Sequence, residues 1–337
     1  MKKKLLTSFN FLFKQNTNPQ HIHVLDGWRG LSILFVLAAH LLPLGDNSWQ
    51  LNSMAGLLGM SLFFILSGFL ITNFLYKNQN ITVFLIRRFF RILPLAWLYI
   101  VIVLALNSAS CSEWLAHLFF YANWPPMDFL ASTSHFWSLC MEMQFYMLVA
   151  LLVLVFKKKG LFILPLICIA VTLYRVDSHI YAAINTYYRL DEILAGCVLS
   201  IIYSGKGKVL AGKILSSINP YFMMVLLIAS CHPESGFINY FRPYLAAILI
   251  GITLFTPKSK LSYFLNINVL SYLALISYAL YVIHGGIRHT WLGEGDTLIK
   301  YAKRPALFVV TFVLAHISTL YYEKYFISLG RKLSSRF

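Results

Sequence analysis

Long apolar blocks recur along almost the whole chain, each closed by a short polar or basic run. A straight membrane-crossing helix needs about 20 apolar residues. On that scale the pattern predicts ten spans, near 27–44, 54–76, 90–107, 138–156, 160–175, 187–204, 219–231, 240–256, 268–287 and 305–322. The expected fold is an all-α polytopic membrane protein with both termini cytoplasmic. Residues 1–26 form a basic interfacial lead-in, 27–323 the transmembrane domain and 324–337 a basic cytoplasmic tail. Most loops are short. The exceptions are 108–136, with a Trp-Pro-Pro turn and the amphipathic piece WLAHLFFY, and 288–304; both fall on the outer side. A segment like 108–136 suits a re-entrant or interfacial cover over a cavity. Neither a repeat nor an inverted half-to-half pattern is visible.

Composition agrees. The chain is 59% hydrophobic and only 12% charged, about half the charged fraction of a soluble domain. The net charge of +16 would suggest nucleic acid in a soluble protein. Here 20 of the 28 Lys and Arg fall on the predicted inside, from Lys2–Lys4 and Lys14 through Lys157–Lys159 to Arg336. The basic excess therefore reflects topology, with membrane lipid and no nucleic acid as the partner. The opening MKKKLLTSFNFLFK lacks the unbroken apolar core and small-residue cleavage site of a signal peptide, and reads as an attached amphipathic lead-in. Five scattered cysteines suit apolar filler; a Cys111–Cys231 disulfide is the less favoured alternative.

Several polar residues interrupt the apolar blocks. Arg29 and His40 lie eleven residues apart in span one, which is about three helical turns and roughly 16 Å along one face. An ionisable group inside an apolar span costs on the order of 3 kcal/mol, so each is a candidate functional group. Glu142, followed by Gln144, lies a turn or so below the outer end of span four, level with His40. A carboxylate there can hydrogen-bond an imidazole, fix its tautomer and stabilise the imidazolium. Two polar residues joining neighbouring helices fit the same spacing, and spacing alone leaves both open. Arg87, Arg88 and Arg91 enter span three from the cytoplasm. Guanidinium forks suit phosphate, although arginines at such a place usually anchor topology. Asp191 and Glu192 can pair with Arg189 or Arg175, either to shape a cavity or to join helices. His316 fits a buried, hydrogen-bonded histidine. Ser138 lacks a nucleophile-elbow context, and GKGK at 205–208 lacks phosphate-loop spacing. No ligand spacing suggests a metal.

The blocks LDGWRGLSILFVLAAH, MSLFFILSGFLIT, RRFFRILP, HFWSLCMEMQFY, YYRLDEILAGCVL, LISYALYVIH and YYEKYFISLGRKL occur in that order. Together they resemble the acyltransferase type 3 family of integral-membrane enzymes over essentially the full length. The resemblance implies about ten membrane helices in the bacterial inner (cytoplasmic) membrane. It also implies transfer of an acyl group, commonly acetyl, from cytoplasmic acyl-coenzyme A to a hydroxyl of a glycan or lipid-linked saccharide at the outer face. Acetyl-CoA is then the donor substrate and no metal is required.

In that frame His40 and Glu142 are essential, with His40 the general base and Glu142 its support. Arg29, Arg87, Arg88 and Arg91 are on the donor side, where the coenzyme A phosphates must enter. Trp137, Ser138, Gln144, Tyr146 and His284 are candidates for positioning substrate. An acyl-histidine intermediate remains an alternative to direct transfer.

Three departures stand out. Met143 takes the place of a second acid found in many members. Tyr325 stands where the ending often has proline. The fused C-terminal hydrolase-like domain of many relatives is not part of this sequence, so action alone or with a partner chain is expected. A transporter of an acidic metabolite or lipid-linked saccharide, using the same buried charges, is the competing class; the lack of an inverted repeat counts against it.

Overall fold

A computed structural model describes residues 22–337. Most of the lead-in, with Lys2–Lys4 and Lys14, lies outside the described residues. The described residues form helices and turns, with no strand among them.

The helices that matter here are α1 (His23–Leu41), α2 (Leu51–Lys77), α3 (Ile81–Leu106), α4 (Cys111–Leu118), α5 (Trp137–Phe156), α6 (Leu164–Asp177), α7 (Asp191–Ser204), α8 (Lys208–Ser217), α9 (Pro220–Ser230), α10 (Arg242–Phe255), α11 (Asn268–Arg288), α12 (Arg304–Ile317) and α13 (Lys324–Ser334). Each of the ten predicted apolar blocks is helical. Seven helical runs are long and apolar enough to cross a membrane, or eight if α7 and α8, bent by 114°, form one broken span. Helices α6, α7 and α9 have 14, 14 and 11 residues, and α6 continues the apolar run that begins before α5. Apolar content alone does not say where a helix stops. After α5 the α-helix is interrupted at Lys157, whose φ is 54°, and a 3₁₀ stretch leads into α6, with Pro165 in its first turn.

Helices α1, α2, α7 and α11 pack together at the centre, and 72% of the apolar window of α2 is buried. Without a hydrophobic drive between helices in lipid, such packing depends on close approach of small residues. Gly68 on α2 and Gly196 on α7 provide it reciprocally. A Cβ on Gly68 would stand 1.9 Å from the Ile193 oxygen, and one on Gly196 would stand 2.1 Å from the Ile65 oxygen. No side chain larger than hydrogen fits either position at this separation.

The C-terminal segment expected as a tail is helical. Helix α13 lies along the start of α3, with Arg87 Nε donating to Ser334 Oγ at 3.0 Å. All five cysteines are free thiols, Cys111 exposed and Cys231 buried. His316 receives a hydrogen bond from, or gives one to, the Tyr272 hydroxyl at 2.9 Å.

Candidate active site

His40 occupies the last turn of α1, and its Nδ1 lies 2.9 Å from His284 Nε2 on α11. The rings are stacked, with centroids 5.0 Å apart and planes 12° from parallel. The proton positions follow from the outer partners. His284 Nδ1 faces two backbone carbonyls, Tyr281 at 2.7 Å and Leu280 at 3.2 Å. A carbonyl only accepts, so Nδ1 carries the hydrogen and, in the neutral ring, Nε2 is the acceptor. His40 Nδ1–H therefore donates to His284. That leaves a lone pair on His40 Nε2, and His40 is half-buried on the wall of a cavity of about 770 Å³.

A third imidazole completes the group. His135 lies in the 3₁₀ turn before α5 and meets His284 edge-on, with ring centroids 4.8 Å apart. Its Nε2 is 3.2 Å from the Val282 oxygen. Gly285 makes the space: a Cβ there would lie 2.2 Å from His135 Cε1 and 2.4 Å from Nδ1. The Tyr281 hydroxyl donates to the His135 carbonyl. With its one proton so used, that hydroxyl accepts from Ser138 Oγ at 2.5 Å. Ser138 therefore ties α5 to α11.

Glu142 has other partners than the expected imidazole. Its Oε1 accepts from the Ser67 hydroxyl and from Tyr146 at 2.6 Å, while His40 Nδ1–H donates to His284. Glu142 instead shares a charged cluster with Arg29 and Arg88, which act on one another together with Arg91 and Asp26. Arg29, Arg88 and Arg91 are half-buried and close no salt bridge with another described residue. Arg87 is exposed and turned to Ser334 on α13. The four sequence candidates thus divide, three converging and one facing away.

Gln144 does not line the cavity. Its Nε2 donates to the Phe120 oxygen and Asn123 Oδ1, at 2.8 and 2.9 Å, and its Oε1 accepts from Trp124 and Thr186. It pins the 108–136 segment to the bundle. Trp137 does line the cavity, beside His40, His135, Arg189 and Tyr281. The Arg189 guanidinium carbon lies 4.5 Å over the Trp137 ring. Behind it, Glu192 bridges Arg189 at 3.3 Å and Arg242 at 2.9 Å, and Asp191 pairs with Arg175 at 3.2 Å. All five side chains are buried. Among the described residues no group of three or more His, Cys, Asp or Glu side chains is arranged to hold a metal ion.

The family model described as "Acyltransferase domain" matches residues 22–322, nearly the whole chain. The chain belongs to the acyltransferase type 3 family. Among its curated relatives is the peptidoglycan O-acetyltransferase OatA of Listeria monocytogenes, 27% identical over 315 residues, covering 79% of this chain and 49% of the relative. The O-acetyltransferase OatA of Staphylococcus aureus is 27% identical over 314 residues, covering 79% and 50%. A putative O-acetyltransferase of the same organism is 26% identical over 321 residues, covering 81% and 51%. The chain spans about half the length of the curated relatives it matches. No solved structure matches it.

The cavity residues that sequence reading missed are His135, Tyr281 and the free face of Arg189. Tyr281 had a signal. In SYALYVIH it lies three residues before His284, the spacing that puts two side chains on one helix face. His135 had none, because a 3₁₀ turn carries no helical periodicity.

Proposed function

We propose that this chain is a membrane O-acyltransferase that moves an acyl group, acetyl by analogy with its relatives, from acyl-CoA to a glycan hydroxyl. The peptidoglycan specificity named for the Listeria relative makes peptidoglycan or its lipid-linked precursor the leading acceptor. The observation that carries the reading is the His40–His284 pair. It leaves one free imidazole lone pair at the wall of a cavity, in a chain of this family.

The two ends of α1 divide the work. Arg29, Arg88 and Arg91 at one end are half-buried guanidiniums with spare donors, suited to the phosphates of coenzyme A. Glu142 holds part of their charge in place. Orientation follows the basic loops, with this end and both termini facing the cytoplasm and the cavity facing outward from the bacterial cytoplasmic membrane.

His40 Nε2 takes the proton from the acceptor hydroxyl as its oxygen attacks the thioester carbon. The tetrahedral intermediate then collapses, breaking the C–S bond and releasing the coenzyme A thiolate, while the new C–O ester remains. As His40 becomes imidazolium, its Nδ1–H bond to His284 becomes charge-assisted and strengthens. Positioned proton transfer contributes about 10²–10⁴ in rate.

The test incubates membranes holding wild type or His40→Ala with acetyl-labelled coenzyme A and a peptidoglycan-containing envelope fraction. Ester-linked label with wild type and a loss of at least about 10² with folded His40→Ala is expected. Equal labelling by both would overturn the role of His40. Label crossing sealed vesicles without becoming covalent would overturn the transferase reading itself.

A further inference from the structure

The buried charges behind the cavity do not balance. Three guanidiniums, Arg175, Arg189 and Arg242, stand against two carboxylates, Asp191 and Glu192. Arg242 is well satisfied: besides Glu192 it donates to Asn239 Oδ1 at 2.5 Å and to the Tyr181 oxygen at 3.4 Å. Arg175 has Asp191 and the Tyr240 oxygen. Arg189 is the one of the three that lines the cavity beside His40. Its Nε goes to Glu192 and its Nη1 to the Ala183 oxygen, both at 3.3 Å, and its buried Nη2 has no partner among the described residues.

An uncompensated buried charge with an unfilled donor is costly and persists where a ligand completes it. The Trp137 face over the guanidinium offsets part of that cost, but an indole ring accepts no full hydrogen bond from Nη2. Both Trp137 and Arg189 border the same space as the His40 lone pair. Glu234 does not cancel the Arg189 charge either, being exposed to solvent and held by Gln50 at 3.0 Å.

We propose that Arg189 is an oxyanion seat in the acceptor cavity. The acceptor is an acidic saccharide whose carboxylate or phosphate reaches Nη2 beside the Trp137 indole while its hydroxyl meets His40. The inference rests on the acyltransferase reading for the hydroxyl's role, but not for the anion site itself. Carboxylate and phosphate share the chemistry Arg189 recognises, a planar or tetrahedral set of oxygens facing a guanidinium fork. The first would come from the glycan, the second from a lipid-linked precursor.

The test is binding, read separately from transfer. Purified full-length protein is titrated with methyl glucuronide, with glucose 1-phosphate and with the neutral methyl ester of the glucuronide, following tryptophan fluorescence. The Trp137→Phe protein identifies the signal from the indole over Arg189. Saturable binding of one or both anionic probes, at least about tenfold tighter than the ester, is expected, since one charge-assisted hydrogen bond is worth that much. Preference for the carboxylate assigns the source to the glycan, and preference for the phosphate to the lipid-linked precursor. Arg189→Gln should erase the preference and, in the labelling assay, raise the KM for acceptor more than it lowers kcat. If that variant fails to fold, the wild-type titration still decides. Equal binding of the ester, no binding of either anion, or an intact preference in folded Arg189→Gln would overturn the proposal. Anion binding without any label transfer by wild type would leave the seat standing and strike the transferase reading instead.

Discussion

Replacing His284 with alanine isolates the contact that distinguishes this site from the histidine–carboxylate pairing expected from the sequence. In the ground state His40 Nδ1–H gives His284 Nε2 an ordinary hydrogen bond of 2.9 Å, worth about 1 kcal/mol net. Once His40 has taken the acceptor's proton the bond is charge-assisted, worth about 1.5–3 kcal/mol. The difference, roughly 0.5–2 kcal/mol, is transition-state stabilisation, so kcat should fall about 2- to 30-fold. Loss of the fixed tautomer adds to this, because a freed His40 ring can turn Nδ1 and Nε2 over. Donor KM should hold, since Arg29 and Arg88 are untouched. The assay is initial-rate transfer of labelled acetyl at saturating donor and acceptor, with thermal unfolding of the purified protein as the check on folding. That check matters because His284 is only 1% exposed and its removal leaves a void. His284→Gln can still accept through its amide oxygen and should recover part of the rate. A folded His284→Ala protein with kcat within about twofold of wild type would refute the orienting role.

Two further substitutions test other parts of the site. Arg88→Ala should raise the KM for acetyl-CoA about tenfold or more, the worth of one lost phosphate contact, while Arg87→Ala, which removes only the bond to Ser334, should leave it unchanged; equal effects in steady-state kinetics would sink the division of the arginine cluster. Gly285→Ala drives a methyl to 2.2 Å from the His135 ring, costing about 1–3 kcal/mol of stability by overpacking, and transfer should fall as the three-histidine group is displaced; an unchanged melting temperature and rate would contradict the packing described.

Glu142 is where expectation and structure part most clearly. Its place on an apolar helix was readable, though not at the level of His40, since it shares the field of Arg29 and Arg88. Its partner was not, because Ser67 and Tyr146 claim the carboxylate from α2 and from one turn further along α5, and neither choice leaves a trace in hydropathy. His284 shows the converse. It entered as a candidate for the same cavity, and the packing of α11 on α1 made it the direct partner of His40. Likewise Arg87, Arg88 and Arg91 read as one basic run, but successive residues on a helix point about 100° apart. Arg87 consequently meets α13 while Arg88 shares the field of Glu142.

Alternation of apolar blocks and basic loops by itself determined a helical membrane protein, because lipid leaves backbone polar groups only internal partners. The ordered motifs by themselves determined the family. Where the helices break was decided by tertiary structure, through the interruption at Lys157 and the bend of 114° between α7 and α8. So was the wiring of the site. Hydrogen bonds between side chains from distant helices depend on separations of a few tenths of an ångström, set by contacts such as Gly68 against Ile193 and Gly285 against His135. Those separations are properties of packed surfaces, which one-dimensional periodicity does not encode.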